Sequence, residues 1–381
     1  MLTAICIPSR NRTEALVECI ASVLRVLSTF DSNFQEFVIC VRQNSDDNCA
    51  ISALIDSIAI ISCLKFPPNL INIKNNDSVV FMHENCELVV NDAISLGADF
   101  LLILPDRRLL TCNMFSALSL ILQSKADVLV FDNQAFWLSS ETLSQTRRIP
   151  KIPNPLLSSP LLFNDILHCR FDGLTPRLYN CIIRSSYFRR TFSYFGSYIS
   201  GPCPDISFQF RCAFLPNTLV FISPLTVIVT NARHASATVS NTGVPNRSSL
   251  DTKNITEQRS VFGLHKTIVY VGCLSHIQDY VPRNSLHLFV LPIPLLQAVY
   301  WEMSCPQTQA LFDERLGTIT DALLDRSNKL FSRLSSNDIE YLLDQFSNLR
   351  NTPAELQCQP LHGHSNPLVM SSFNALLQIE K

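Results

Sequence analysis

The stretch FLLILPDRRLL at residues 100–110 decides the fold expected for this chain. Its first five residues, Phe100–Leu104, are all apolar and predict a buried strand. The run then ends in Pro105, Asp106 and two arginines. Ligands of open α/β sheets bind beyond the carboxyl ends of the strands. One carboxylate and two guanidinium groups at this point therefore indicate a site for a charged ligand.

Strand and helix patterns alternate through the first 135 residues of the chain. In addition to Asp99–Leu104, apolar runs predict strands at Leu2–Ile7, Phe37–Val41 and Val128–Phe131. Apolar residues at helical spacing predict helices at Ala15–Leu27 and Glu87–Leu96. This alternation predicts an α/β fold in which a mostly parallel, Rossmann-like central sheet carries helices on both faces.

The second half of the chain has weaker patterns. Residues 139–175 contain several prolines and indicate a loop-rich crossover or lid. Residues 215–230 are apolar and β-branched and predict strands interrupted by Pro216 and Pro224.

The last third of the chain has helical patterns. Residues 311–334 and 339–349 predict helices, and Asn337 with Glu340 has the spacing of a capping box. The chain is therefore expected to end in a mainly helical C-terminal extension.

Composition excludes several classes of protein. The 381 residues are 47% hydrophobic and 16% charged, which argues against disorder, and the net charge of −2 argues against nucleic-acid binding. The longest apolar stretch, Leu286–Tyr300, contains two prolines, so no transmembrane segment is expected. The 14 cysteines show no zinc-type spacing. Without an export signal they are expected to be reduced and buried, which predicts a cytoplasmic protein.

Four segments, in order, resemble the family 2 inverting glycosyltransferases of the GT-A fold. The first resembles the opening strand and turn, the second the turn after the second strand, the third the segment around the DxD motif, and the fourth the segment with the catalytic base. They are Ile5–Arg12, Gln43–Asp46, Met82–Leu88 with Ala98–Arg107, and Ser200–Arg211. The closest pattern is a bacterial subgroup with an altered motif, here Pro105-Asp106-Arg107.

The resemblance implies a domain organisation. Residues 1–240 would form the GT-A domain, with a nucleotide-binding half at about 1–110 and an acceptor half at about 111–240. Residues 241–381 would form the helical C-terminal extension. The implied activity is transfer of a sugar from a nucleotide-diphosphate sugar to a hydroxyl acceptor such as a glycan, with inversion, as in polysaccharide biosynthesis.

The resemblance assigns the donor site to residues near the strand ends. The implied nucleotide-sugar-binding residues are Pro8, Ser9, Asn11, Arg12, Gln43, Asn44, Asn85, Asp106 and Arg107. Asn11 could equally be an ordinary helix cap, and Arg12 could either meet a phosphate or cover a helix surface. Gln43 stands where the family usually has Asp, but an amide can still hydrogen-bond a pyrimidine edge, so uridine or thymidine is compatible.

Two alternatives stay open for the diphosphate. In the family, an acidic DxD motif holds Mg²⁺ or Mn²⁺, and here Asp106 with His234 could provide such a site. Alternatively, Arg107 or Arg108 replaces the metal by stabilising the charge of the leaving group. A purely structural ion pair between Asp106 and an arginine is the third interpretation.

The acceptor side has one candidate general base. Asp205 occupies the family position for the residue that deprotonates the acceptor hydroxyl, although an aspartate before a helix is also a common N-cap. Arg177 and Asn180 resemble a segment that lines the acceptor pocket. Arg211 is expected to be structural.

Two other functions compete with sugar transfer. A nucleotidyltransferase would need a glycine-rich loop for a triphosphate, but Pro8–Thr13 contains no glycine and the chain has only nine. A non-catalytic binding module with a degenerate GT-A fold is the alternative from another class. The substitutions at Pro105 and Gln43 favour the module, whereas the retention of Asp106 and Asp205 favours the enzyme.

Overall fold

The structure is a computed structural model. It describes residues 1–10, 12–29, 36–44, 51–78, 80–137, 142–144, 156–158, 176–199, 204–215, 217–229, 312–325 and 334–348. Within these ranges the strands are β1 (Thr3–Ser9), β2 (Phe37–Gln43), β3 (Ile71–Asn75), β4 (Phe100–Ile103), β5 (Arg108–Leu110), β6 (Val128–Trp137), β7 (Thr142–Ser144), β8 (Leu156–Ser158), β9 (Cys181–Arg184) and β10 (Thr218–Val229).

The helices of the same ranges alternate with these strands in the first part of the chain. They are α1 (Thr13–Ser28), α2 (Ile51–Ser62), α3 (Met82–Ser95), α4 (Asn113–Ser124), α5 (Ser185–Phe195), α6 (Pro204–Phe214), α7 (Phe312–Leu324) and α8 (Ser336–Asn348). A short 3₁₀-helix, Leu178–Asn180, precedes β9. Among the described residues, no helix is long and apolar enough to span a bilayer.

The strands form one mixed sheet in the order β3-β2-β1-β4-β9-β6-β10-β5, with β7 beside β6 and β8 beside β10. The first four strands of this order are parallel to one another, and β6 is parallel to β10. Between these two groups, β9 runs antiparallel to both β4 and β6. The predicted α/β fold with a mostly parallel core is confirmed, and β9 is an antiparallel insertion that the sequence pattern did not indicate.

Helices cover both faces of the sheet. Successive residues of a strand point to opposite faces, so each strand has side chains that contact the helices on either side. Ile7 of β1 and Val41 of β2 belong to the same core cluster as Leu16 of α1. The next residue of β2, Arg42, points to the other face and forms an ion pair with Asp92 of α3. The apolar run of β4 is fully buried, as its composition predicts.

Four elements of the first 135 residues were missed by the sequence analysis, namely α2, β3, β5 and α4. The interruption predicted at Pro224 was wrong. Instead, β10 continues across it, and its pairing with β6 shifts register between Ile222 and Val227. Proline lacks the N–H that a ladder needs, so an irregularity in the pairing is what accommodates it.

The helices α7 and α8 belong to a second compact unit of the chain. Apolar residues such as Leu323 of α7 and Leu342 of α8 are buried. The capping box predicted at Asn337 and Glu340 was misplaced. The Ser335 N–H donates to the Asp338 carboxylate, and the Asp338 N–H donates to the Ser335 hydroxyl.

The described cysteines are all free thiols, and six of them are buried. They pack as small apolar residues, as the sequence analysis expected.

Candidate active site

The carboxyl ends of β1, β2 and β3 align three polar side chains in one row. Ser9 is the register partner of Gln43, and Gln43 is the register partner of Asn75. Register partners on parallel strands point to the same face of the sheet. The row therefore extends across three strands, with neighbouring residues about 5 Å apart.

The turn after β4 brings Asp106 to one end of this row. The backbone N–H of Leu104 still donates to Cys6 of β1, and the N–H of Arg108 donates to the carbonyl of Pro105, which closes the turn. The Ser9 hydroxyl donates to the Asp106 carboxylate at 2.8 Å. Asp106 and Ser9, 97 residues apart in sequence, thus meet at the sheet edge.

Asp106 is only 2% exposed and pairs with a more exposed arginine. Arg12 donates to its second carboxylate oxygen at 3.2 Å, and the Arg12 side chain is 33% exposed. The carboxylate therefore fixes a guanidinium group whose other face is open to solvent. This arrangement suits the binding of an anion beside Arg12.

Arg107 places a second positive charge at the same turn. Burial lowers the pKa of Arg107 to about 10, repulsion from Arg12 and Arg108 acts in the same direction, and Asp106 opposes it. The group stays cationic at neutral pH. Arg12 and Arg107 thus place two positive charges beside the Asp106 carboxylate, and their mutual repulsion favours the binding of an anion here.

Arg108 connects this turn to the other side of the site. It donates to the backbone carbonyl of Tyr179 at 2.6 Å, and its guanidinium carbon lies 5.5 Å from the centre of the Tyr179 ring. Burial lowers the pKa of Arg108, and the negative charge of Asp205 opposes that shift. Arg108 is therefore within electrostatic reach of Asp205.

Asp205 lies in the first turn of α6 and is partly exposed. Its carboxylate accepts the N–H of Tyr179 at 3.4 Å. Tyr179 is thus a shared neighbour of Arg108 and Asp205. Arg108, which follows Asp106 by two residues, and Tyr179 thus connect the turn that carries Asp106 to Asp205.

Two amides that were predicted to bind the nucleotide have their side chains engaged with the protein. Asn44 donates to the carbonyl of Val80 and accepts its N–H. Asn85 donates to the carbonyls of Ser9 and Arg42, both at 3.3 Å, and accepts from Asn76. These contacts brace the strand ends that form the site. Direct contact of Asn44 or Asn85 with a nucleotide stays a prediction.

Gln43 differs from those amides. It is only 3% exposed, yet its side-chain oxygen has no hydrogen-bond partner among the described residues. The side-chain oxygen of Asn75, the next residue of the row, is also buried and has no hydrogen-bond partner among the described residues. A buried acceptor without a partner is unfavourable by about 1–3 kcal/mol. Both oxygens are therefore suited to accept N–H groups of a ligand.

The predicted acceptor residues lie beside Tyr179. The Arg177 N–H donates to the side-chain oxygen of Asn180 at 2.8 Å, and the Asn180 N–H donates back to the Arg177 carbonyl. Asn180 is almost fully buried, and its side-chain nitrogen has no hydrogen-bond partner among the described residues. This turn holds Tyr179 in place against Asp205, so the predicted acceptor segment and the predicted base are adjacent.

Of the other predicted residues, one lies at a strand end and two lie outside the described residues. Pro8 lies in β1, where it adjoins Ser9 at the strand end. Asn11 and His234 lie outside the described residues, and their predicted roles stay predictions.

The residues around Asp106 fit an anion better than a divalent cation. A hydroxyl and an arginine occupy the Asp106 carboxylate, and the guanidinium group of Arg107 interacts with it electrostatically. Hard cations require several oxygen ligands, and the described residues contain no group of three or more His, Cys, Asp or Glu side chains that could hold a metal.

Sequence analysis missed Tyr179 and Glu87. Tyr179 lies between the two predicted acceptor residues, but nothing in its sequence context shows that Arg108 contacts it. Glu87 accepts the N–H groups of Tyr198 and Ile199. A Glu inside the otherwise apolar stretch of α3 was the available signal.

No protein-family model matches the sequence. No curated protein matches it significantly either. The fold, however, matches solved structures of S. aureus TarS, residues 1–349. The complex with UDP-GlcNAc is 13% identical with a TM-score of 0.56, and the match covers 92% of this chain and 91% of the chain of TarS residues 1–349. The complex with UDP is 12% identical with a TM-score of 0.53, over 92% and 90% of the two chains.

At this level of identity the likeness concerns the fold. The chain has the α/β architecture of the GT-A glycosyltransferases, and the resemblance to that fold found in the sequence is confirmed.

Proposed function

We propose that this protein is an inverting glycosyltransferase that moves a sugar from a nucleotide-diphosphate sugar to a hydroxyl acceptor. The observation that carries the proposal is the connection of Asp106 to Asp205 through Arg108 and Tyr179 at the carboxyl edge of the sheet. A charged group suited to a diphosphate and a carboxylate suited to a base thus border one edge. The GT-A fold, and the UDP-GlcNAc held by TarS, support the same assignment.

The row of Ser9, Gln43 and Asn75 supports the position of the nucleotide. Its Ser9 end adjoins Asp106 and the arginines, where the diphosphate would bind. Gln43 and Asn75 follow at about 5 and 10 Å along the sheet edge, which is the scale of a ribose and a base. Their unpartnered oxygens would accept N–H groups of the base.

Asp205 would act as the general base. It would take the proton of the acceptor hydroxyl while the acceptor oxygen attacks the anomeric carbon. The bond between that carbon and the diphosphate oxygen then breaks, and the nucleoside diphosphate leaves with the bonding electrons. A single displacement of this kind inverts the anomeric configuration.

Arg12 and Arg107 would stabilise the departing diphosphate. Preorganised donors are most effective where negative charge develops during the reaction. Asp106 holds Arg12 in place, so no reorganisation of that group would be needed. A metal ion held by Asp106 and His234 would neutralise the same charge as a Lewis acid. Full transfer in excess EDTA would favour the arginines over the metal.

The acceptor and the surrounding domains follow as parts of the proposal. Arg177 and Asn180 lie on the Tyr179 side of the site and would contact a glycan or another hydroxyl acceptor. Residues 1–240 would carry the reaction, and residues 241–381 would form the helical C-terminal extension.

The proposal is tested by incubating the protein with UDP-, GDP- and dTDP-sugars and measuring release of the nucleoside diphosphate, with Asp205→Asn as the control. Turnover of at least one donor that is lost in the variant is the expected result. If no donor turns over and no nucleotide shifts the unfolding temperature, the protein is instead the non-catalytic binding module.

A further inference from the structure

Two charged residues from different helices bind residues 197–199, which follow α5. Glu87 of α3 accepts the N–H of Tyr198 at 2.8 Å and the N–H of Ile199 at 2.6 Å. Each carboxylate oxygen thus binds one backbone N–H. Burial raises the pKa of Glu87, while these two hydrogen bonds and the charge of Arg211 act against the increase.

Arg211 of α6 holds the same segment from the other side. It is fully buried and donates to the carbonyl of Ser197 at 2.6 Å and to the Ser197 hydroxyl at 2.8 Å. Its guanidinium carbon lies 4.7 Å from the centre of the Phe195 ring. The hydroxyl of Tyr187 donates to the backbone carbonyl of Arg211 at 3.1 Å, which fixes the helix at that residue. We call Glu87 and Arg211 together the clamp.

The clamp is connected to Asp205 by short stretches of chain. Arg211 lies six residues after Asp205 in the same helix, about 9 Å along its axis. Ile199 lies five residues before Pro204, where α6 begins. The position of the first turn of α6 is thus constrained from both sides.

The same helix that supplies Glu87 also braces the nucleotide side. Asn85, two residues earlier in α3, donates to the carbonyls of Ser9 and Arg42 at the ends of β1 and β2. Through Asn85 and Glu87, α3 contacts both the strand ends beside Asp106 and the segment before Asp205.

A fully buried charge such as that of Arg211 gives little stability over an apolar residue of the same size. Reaction rates, in contrast, depend strongly on geometry, and a displacement of about 1 Å can reduce a rate about 100-fold. Holding a general base in position is a role for which these hydrogen bonds to the backbone are suited.

We propose that Glu87 and Arg211 are positioning residues that hold Asp205 in register with the donor site. The inference rests on the proposed function, since it assumes that Asp205 is the base. It assigns the clamp no contact with substrate.

The test compares Glu87→Gln with Glu84→Gln, measuring transfer kinetics and nucleotide affinity. Gln at 87 keeps one acceptor but turns an NH₂ group towards a backbone N–H. Glu84 is the matched control, because it also accepts a backbone N–H, that of Phe81 at 2.8 Å, but is exposed at the start of α3. We expect Glu87→Gln to lower kcat at least about tenfold, with the donor KM and nucleotide Kd changed less than twofold, and Glu84→Gln to match the wild type. Arg211→Lys, which keeps the charge but loses the forked geometry, should behave like Glu87→Gln.

A double variant separates positioning from general destabilisation. If Glu87 acts through Asp205, adding Glu87→Gln to Asp205→Asn should lower the residual rate by less than twofold, because the base is already lost. Full additivity overturns the proposal, as does a Glu87→Gln protein with a lower unfolding temperature but unchanged kcat per folded molecule. Absence of transfer in the wild type would instead refute the proposed function, which is a distinguishable result.

Discussion

Arg108 makes two contacts with Tyr179. It donates a 2.6 Å hydrogen bond to the backbone carbonyl, and its guanidinium carbon lies 5.5 Å from the centre of the ring. The N–H of the same tyrosine points to the carboxylate of Asp205. One residue therefore joins the charged turn after β4 to the first turn of α6. This junction is what makes the edge of the sheet a single candidate site.

Replacing Asp205 with Asn should reduce transfer by about 10²–10⁴-fold, the usual contribution of a general base. Asn keeps an oxygen that can accept the Tyr179 N–H, so the local structure should persist. Initial rates measure the effect, and calorimetry should give an unchanged nucleotide affinity. The exposed Asp56 of α2 provides the control, and a loss in Asp56→Asn equal to that in Asp205→Asn would remove the special role of Asp205.

Replacing Arg107 with Met should separate stability from function. Burial, and then the positive charges of Arg12 and Arg108, lower the pKa of Arg107, so replacing it with the apolar Met should leave the unfolding temperature unchanged or raise it. Transition-state stabilisation should fall by about 2–4 kcal/mol if Arg107 serves the leaving group. A decrease in kcat of less than tenfold would exclude that role.

Replacing Asn85 with Leu should destabilise the fold. Two carbonyls at the strand ends and the Asn76 amide would each lose a hydrogen bond, which predicts a decrease of about 2–3 kcal/mol in the free energy of unfolding. Urea denaturation measures this. Unchanged stability with weaker nucleotide binding would instead show that Asn85 is a direct ligand.

The ion pairs of Asp92 should make the free energy of unfolding depend on pH in the acid range. Burial acts to raise the pKa of Asp92, but hydrogen bonds from Arg42 and Lys74 and their positive charges outweigh it and lower the pKa. A lowered folded-state pKa adds stability above the unfolded value of about 3.9, and this stability is lost as the pH falls through the folded pKa. Asp92→Asn should therefore be less stable at pH 7 by about 3 kcal/mol.

The pH dependence of unfolding provides the check on Asp92. The gap between wild type and Asp92→Asn should close as the pH is lowered below 4. A constant gap down to pH 2 would contradict the assignment of this acid dependence to Asp92.

Sequence patterns were sufficient for the elements that are strongly periodic or fully buried. The apolar run of β4 and the one-sided apolar face of α1 were both predicted, because burial dictates those residues. The helix α2 was missed because its sequence is apolar nearly all round, with Ile60 being 75% exposed, so its pattern has no clear face.

The site was only partly accessible from the sequence. Asp106 and Asp205 were selected because they follow motifs, but their connection depends on β9 entering the sheet antiparallel between β4 and β6. Pairing between strands so distant in sequence leaves no local pattern. For the same reason, the clamp residue Glu87 was placed in a helix but given no role.

The most direct test of the central claim is titration of the wild-type protein with UDP and GDP by calorimetry in excess EDTA. We expect UDP or GDP, or both, to bind saturably. This binding should weaken at high salt and in Arg107→Met, because arginines hold the diphosphate. Failure of every nucleoside diphosphate to bind, with or without added Mn²⁺, would contradict it.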